Sequence, residues 1–189
     1  MNHGEAPPDS VLARRAQAGD RQAFGALVER HQAAAIRLAA VIGGSVADAP
    51  DIAQEAFVKA HAALARQRDP DLVRSWLLRV VANEAKNFRR ASERRIRRDD
   101  RFARAAAAMS TAADPGAAAV LATESDELLD ALRRMTERDR QIIGYRYFGG
   151  LSEAETAAVL GTALGTVKSR TARALGRLRT ELDRIGGAS

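Results

Sequence analysis

Apolar residues recur along this chain at helical spacing, and no stretch alternates in the two-residue rhythm of a half-buried strand. Behind Asp20, a good helix cap, Phe24, Leu27, Val28, His31, Ile36 and Leu38 (with Ala35) mark one face. They predict a helix from Arg21 into the low forties, broken by Gly43-Gly44-Ser45. A shorter helix, Val11–Ala18, is expected before it, capped by Asp9 or Ser10, ended by Gly19 and preceded by a loose tail. His31 lies on or beside the apolar face with no visible partner, so it reads as structural rather than as a ligand. Asp48-Ala49-Pro50-Asp51 opens a third helix, because Pro and acids suit a first turn. Its body sets Ile52 and Ala56 on one side and Phe57, Ala53 and Ala60 on another. Arg66–Asp71 reads as a polar loop. Trp76, Leu77, Val80, Val81 and Phe88 then face inward along a helix that reaches Arg90. Asp126–Arg134 repeats the pattern through Leu128, Leu129 and Leu132. Met135-Thr136 caps a segment Arg138–Phe148 that stops at Gly149-Gly150. The fold class is all-α.

The last pair of helices is the most legible. Ser152 and Glu155 form a capping box ahead of Ala157, Ala158, Val159 and Leu160, and Gly161 supplies the permissive backbone of a helix end. Gly165-Thr166 opens a longer helix whose apolar stripe is Val167, Ala174, Leu175, Leu178 and Leu182. Its other face carries Lys168, Ser169, Arg170, Arg173 and Arg177. A short helix, a tight turn and a basic second helix make a helix-turn-helix, whose second helix enters the major groove with its N-terminal residues on base edges. The charge split argues against an ordinary solvated hairpin. The first helix holds Glu153 and Glu155 and no base, and the second holds no acid before Glu181, whereas a merely soluble helix mixes signs.

Composition narrows the function. The 189 residues carry a net charge of +6 and suit one medium domain or two small ones. A pI near 10.6 favours a polyanionic partner. Without cysteine there is no thiol catalysis and no Cys-based zinc site, and His3, His31 and His61 have no ligand spacing. No run approaches a membrane span and the start has no secretory pattern, so a cytoplasmic protein without membrane insertion is expected. Asp51, Gln54 and Glu55 make a compact acidic and amide surface. Arg74, Arg79, Asn83, Lys86, Asn87 and Arg90 are left polar beside Trp76. Directly behind comes a basic run, Arg89, Arg90, Arg94, Arg95, Arg97 and Arg98, opposed only by Glu93. Such density grips phosphate without sequence preference, while an Asn amide can pair with a base edge.

Three sets of residues carry a family resemblance. Asp-Ile-Ala-Gln-Glu-Ala-Phe (51–57) and Trp-Leu-Leu-Arg-Val-Val-Ala-Asn (76–83), followed by Arg-Arg, resemble region 2 of a bacterial RNA polymerase sigma factor. Thr136–Ile143, Gly-Leu-Ser-x-x-Glu (150–155) and Gly-Thr-Val-Lys-Ser-Arg (165–170) resemble region 4. Two regions with no region 3 between them is the pattern of the extracytoplasmic-function (ECF) group. The resemblance implies a tail (1–9), a region 2 bundle (10–100), a flexible linker (101–122) and a region 4 helix-turn-helix domain (123–186). It implies a protein that is not itself an enzyme, needs no metal or cofactor, and lends promoter specificity to core RNA polymerase.

By resemblance, Asp51, Gln54, Glu55 and Phe57 dock on the clamp helices of the largest polymerase subunit, although Phe57 reads somewhat better as core packing than as a direct contact. Arg74, Trp76, Arg79, Asn83, Lys86, Asn87 and Arg90 meet the −10 element, and the Arg66–Asp71 loop matches the segment that receives a flipped base. Trp76 matches a family Trp, although a lone Trp on an apolar face is more often core. Thr166, Lys168, Ser169, Arg170, Arg173 and Arg177 meet the −35 element, with Arg173 and Arg177 on phosphates. The polymerase flap and an anti-sigma factor are further expected partners. With nothing regulatory after Ser189, control is expected from a partner or from expression level. Thr156 stands where Ile or Val is usual and Ala163 where Pro is common, which lowers the rigidity of the motif. Two rivals are a stand-alone helix-turn-helix regulator, which would need an upstream sensing domain, and a nucleic-acid enzyme using Asp48/Asp51 and Asp99/Asp100. Those acids lack other clustered ligands and sit at helix starts.

Overall fold

The computed structural model describes residues 6–107 and 124–187, and side chains are described outside 99–107 and 124–126. Most of the expected linker, 108–122, lies outside the described residues. Within them the chain forms helices joined by short turns: α1 (Asp9–Gln17), α2 (Arg21–Gly43), α3 (Ala49–Ala63), α4 (Val73–Ala107), α5 (Glu124–Arg134), α6 (Glu137–Ile143), α7 (Glu153–Leu160) and α8 (Leu164–Gly186).

Helices α1–α4 form the first module. Leu12, Leu27, Leu38, Ile42, Ile52, Phe57, Leu77, Leu78 and Val81 are buried together in its core. Burying one such side chain contributes about 1.5–3 kcal/mol. Asp20 caps α2 as expected, its Oδ1 accepting from the Ala23 amide at 3.0 Å. Asp9 departs from its expected role. Helix α1 starts at Asp9 itself, leaving Pro8 outside, and the Asp9 carboxylate crosses to α2 instead. It accepts from Arg30 Nη1 at 2.5 Å and from His31 Nε2 at 2.7 Å. His31 is therefore structural but not unpartnered. Burial holds its pKa below the ordinary value, against the pull of Asp9. The neutral imidazole donates through Nε2.

Two 3₁₀ turns, Leu64–Arg66 and Pro70–Leu72, frame the polar loop expected between α3 and α4. Helix α4 continues through the whole basic run to Ala107, so the first seven residues of the expected linker are helical.

Helices α5–α8 form the second module, around Leu132, Met135, Ile142, Ile143, Val167 and Ala174. The segment expected as one helix from Arg138 to Phe148 changes pitch part-way. Gly144–Phe148 opens into a wider π turn, closed by the Gly149 amide on the Gly144 carbonyl at 2.7 Å. Leu175 leaves the expected apolar stripe: it is 38% exposed, while Val167 and Ala174 are fully buried. One residue past Ala174 is 100° around the helix, enough to leave the seam.

The modules share a boundary. Val41 of α2 lies in the second module's core, while Tyr145 and Leu151 lie in the first's. Gly144 makes this approach possible, because a Cβ there would stand 3.0 Å from Leu38 Cδ1. Around the apolar contact, Arg133 Nε donates to the Gly44 carbonyl at 2.7 Å and Arg89 Nη2 to the Arg133 carbonyl at 3.2 Å.

Candidate nucleic-acid interface

Helix α7 is built as its sequence predicts. Ser152 Oγ accepts from the Glu155 amide at 3.1 Å, and Glu155 Oε2 accepts from the Ser152 amide at 2.7 Å, the two bonds of a capping box. Gly161 ends the helix at φ +61°, a left-handed conformation that favours glycine. Ala163, with no side-chain cap, then starts α8. Val167 and Ala174 seat α8 on the module, which turns Lys168, Ser169, Arg170, Arg173 and Arg177 to solvent, with Thr166 half-buried beside them. Thr166, Ser169, Arg170, Arg173 and Arg177 fall within about 100° of arc, whereas Lys168 stands about 160° from Arg170, on the flank toward α7. Lys168 Nζ is 3.7 Å from Glu153 on α7, and Arg173 Nε donates to the Ser169 carbonyl at 3.1 Å. Arg177 Nη1 donates to Asp139 Oδ2 at 2.6 Å.

On α4, Arg79, Asn83, Asn87 and Arg90 are exposed and Lys86 is half-buried. At 100° per residue they fall within about 100° of arc, one face of the helix. Arg90 also reaches Glu137 Oε2 at 3.1 Å. Trp76 is half-buried against the first core. Arg74 stands apart, about 140° around the helix from Arg79. Its guanidinium donates to the Gly149 and Gly150 carbonyls at 3.0 and 2.8 Å and pairs with Glu155 at 3.3 Å. In this arrangement Arg74 binds the second module rather than joining the α4 face. Partial burial pushes the Glu155 carboxyl up. The bonds from Ser152 and the nearby Arg74 outweigh it and hold the pKa below its ordinary value.

On α3, Asp51, Gln54 and Glu55 are exposed, and Glu55 lies 3.4 Å from Lys59. Phe57 is 7% exposed, yet its ring lines a groove of about 460 Å³ between α2 and α3, with Phe24, Val28, Ile36, Gln54 and Val58. Core packing and a wall of the groove are thus compatible for one side chain.

Sequence reasoning passed over Arg138 and Asp139. The Thr-x-x-Asp spacing of 136–139 signalled a helix start, but nothing in it showed that α8 lies beside it. Among the described residues no helix is long and apolar enough to cross a membrane.

Residues 27–95 match the family model for sigma-70 region 2, and residues 125–178 match that for sigma-70 region 4. The chain belongs to the ECF group of RNA polymerase sigma factors. It is 34% identical over 171 residues to the RNA polymerase sigma factor NccH of Alcaligenes xylosoxydans xylosoxydans, covering 90% of this chain and 92% of that one. It is also 34% identical over 174 residues to the ECF RNA polymerase sigma-E factor of Escherichia coli, covering 88% and 90%. Among solved structures, CnrH in complex with the cytosolic domain of CnrY aligns at a TM-score of 0.67 and 30% identity, over 93% of this sigma factor and 97% of CnrH. The RpoE chain of the RpoE–NepR complex from Bartonella quintana shares the fold, with a TM-score of 0.62 and 23% identity over 85% and 96% of the two chains. Matches to both regions in this order favour the sigma factor over a stand-alone helix-turn-helix regulator.

Proposed function

We propose that this ECF sigma factor divides promoter recognition between its two exposed basic faces. The α4 face of Arg79, Asn83, Lys86, Asn87 and Arg90 meets the −10 element, cations on the backbone and amides on bases, with Trp76 at its edge. Arg74 joins that set only when it is released from Gly149, Gly150 and Glu155. On α8, Thr166, Lys168, Ser169 and Arg170 read the −35 element from the N-terminal half of the helix, and Arg173 and Arg177 lie further along it.

Asp51, Gln54 and Glu55, on the rim of the groove walled by Phe57, dock on the clamp helices of core polymerase. A partly apolar, acidic patch suits a basic coiled coil. The flap of the polymerase is the partner of the second module. An anti-sigma factor is a further partner, because the structurally similar RpoE is solved with the anti-sigma factor NepR. The protein acts in the cytoplasm and catalyses no reaction of its own.

The observation that carries this reading is the exposure of α8's basic face while Val167 and Ala174 anchor the other side. Reconstitution with core RNA polymerase, followed by run-off transcription on a genomic fragment library, tests it. Discrete start sites that share paired −35 and −10 motifs are expected. Tight duplex binding by the chain alone, with nothing added to core polymerase, would replace this reading with that of a stand-alone regulator.

A further inference from the structure

The loop between α3 and α4 is pinned at both ends and bare in between. Leu64 and Val73 are buried, whereas Arg66, Arg68, Asp69, Asp71 and Leu72 are exposed. No side chain from 65 to 72 is fully buried, so hydrogen bonds give this stretch its shape. Most of them are internal. Gln67 Nε2 donates to the Asp69 carbonyl at 3.0 Å, and Asp69 Oδ1 accepts from the Asp71 amide at 3.0 Å. The Leu72 amide returns to the Asp69 carbonyl at 3.1 Å, and Ser75 Oγ of α4 donates to the Leu72 carbonyl at 2.9 Å.

One side chain reaches in from another element. Gln17, the last residue of α1, donates through Nε2 to the Gln67 carbonyl at 2.6 Å and to the Leu64 carbonyl at 3.3 Å. A side-chain amide carries two N–H donors, so one glutamine can hold two carbonyls that the end of a helix leaves unpaired. Among the described residues, Gln17 alone hydrogen-bonds this loop from outside 64–75. Helix α1 is firmly held in turn. Leu12 and Ala13 are buried in the first core, and Asp9 bonds Arg30 and His31 of α2. None of the expected DNA contacts lies on α1.

We infer that Gln17 is a positioning residue for −10 recognition: it sets the shape in which the 64–72 loop meets the −10 element beside α4, without itself touching DNA. The inference rests on the reading of this loop and the α4 face as the −10 surface, and it adds α1 as the element that shapes the loop. The loop runs straight into Val73, and Trp76, at the edge of that face, follows one turn later. Freeing the loop removes no DNA contact. It spreads the loop over several shapes, and only the fraction in the held shape reads the base.

The test uses the chain bound to core RNA polymerase and a promoter taken from the run-off experiment. Two libraries are built on it, one randomised at the −10 element and one at the −35 element, and transcripts are counted by sequencing. Gln17→Met keeps the length and packing of the side chain but removes its donors, and Gln17→Ala removes both. Each is expected to lower discrimination at one −10 position by about five- to tenfold, with −35 preference unchanged. Amide exchange should quicken across 64–72 and stay as it was in α2. Ile42→Val, a core truncation with no bond to this loop, serves as the control for lost stability and is expected to leave −10 preference in place. Unchanged −10 preference in Gln17→Met would overturn the inference. An even loss over all −10 sequences, matched by Ile42→Val, would also overturn it and make Gln17 a stabiliser of the fold alone. Asp69→Ala, within the loop, separates this failure from failure of the reading beneath it. If Asp69→Ala alters −10 preference and Gln17→Met does not, the loop keeps its place and Gln17 loses its own. If neither does, the loop is no part of the −10 surface and both fall.

Discussion

Thr156 is fully buried on α7, and its Oγ1 has no hydrogen-bond partner. A hydroxyl stripped of water and left unpaired costs about 1–3 kcal/mol. The isosteric Thr156→Val change removes the hydroxyl and keeps the shape. It is expected to stabilise the fold by about 1 kcal/mol, a rise of roughly 2–4 °C in melting temperature for a chain of this size. Calorimetry checks it, and an unchanged or lower melting temperature would mean that the hydroxyl has a partner in solution. The sequence marked Thr156 as a departure from its family's pattern. That its hydroxyl would be unpaired depended on what α7 packs against.

At the scale of elements, α7 is a support for α8. It has eight residues, too few to be stable alone, and its start rests on the two bonds of the capping box. Ser152→Ala removes one of them and is expected to cost about 1 kcal/mol. The loss should appear first as faster amide hydrogen exchange across 153–160, with exchange in α2 unchanged. Uniform acceleration over the whole chain would instead make α7 part of a single cooperative unit. Helix α5 is finished in a different way. Arg140, 2% exposed, reaches back from α6 and donates to the Arg133 and Met135 carbonyls, each at 3.3 Å. A cation near the last carbonyls of a helix also suits its dipole.

The whole molecule is closed through two kinds of contact, and their magnitudes differ. Val41, Tyr145 and Leu151 are each almost fully buried across the boundary, and each contributes on the scale of about 1.5–3 kcal/mol. The Arg74–Glu155 pair is about one third exposed on both sides, so its ion-pair part is worth about 0–1 kcal/mol. The two carbonyl bonds to the Arg74 charge add to that. Arg74→Ala is therefore expected to shift the balance of closed and open forms by about tenfold, and Leu151→Ala by more. Distance measurements between labels on the two modules read this directly, and a larger opening in Arg74→Ala would reverse the order. Glu155 has its pKa lowered in the folded form. Its contribution is present above the ordinary carboxylate range and is lost as pH falls through the lowered value. Closure should loosen only in acid, not near neutrality.

Periodicity and capping chemistry were sufficient to locate where the helices start, the helix-turn-helix and the polar faces of α4 and α8, because each depends on residues within a few positions of one another; they did not give the run of α4 to Ala107 or the π turn at Gly144–Phe148. Asp20, Ser152, Glu155 and Gly161 act on their own turns, and the structure places them in the roles their spacing implies. What lies far apart in the chain was settled by tertiary packing alone. Asp9 on His31, Arg74 on Gly150, Asp139 on Arg177 and the exchange of Val41 for Tyr145 between the two cores join positions that no local period relates. A side chain's local pattern says which way it leaves its helix. Which neighbour it meets is decided only when a second element packs against that face.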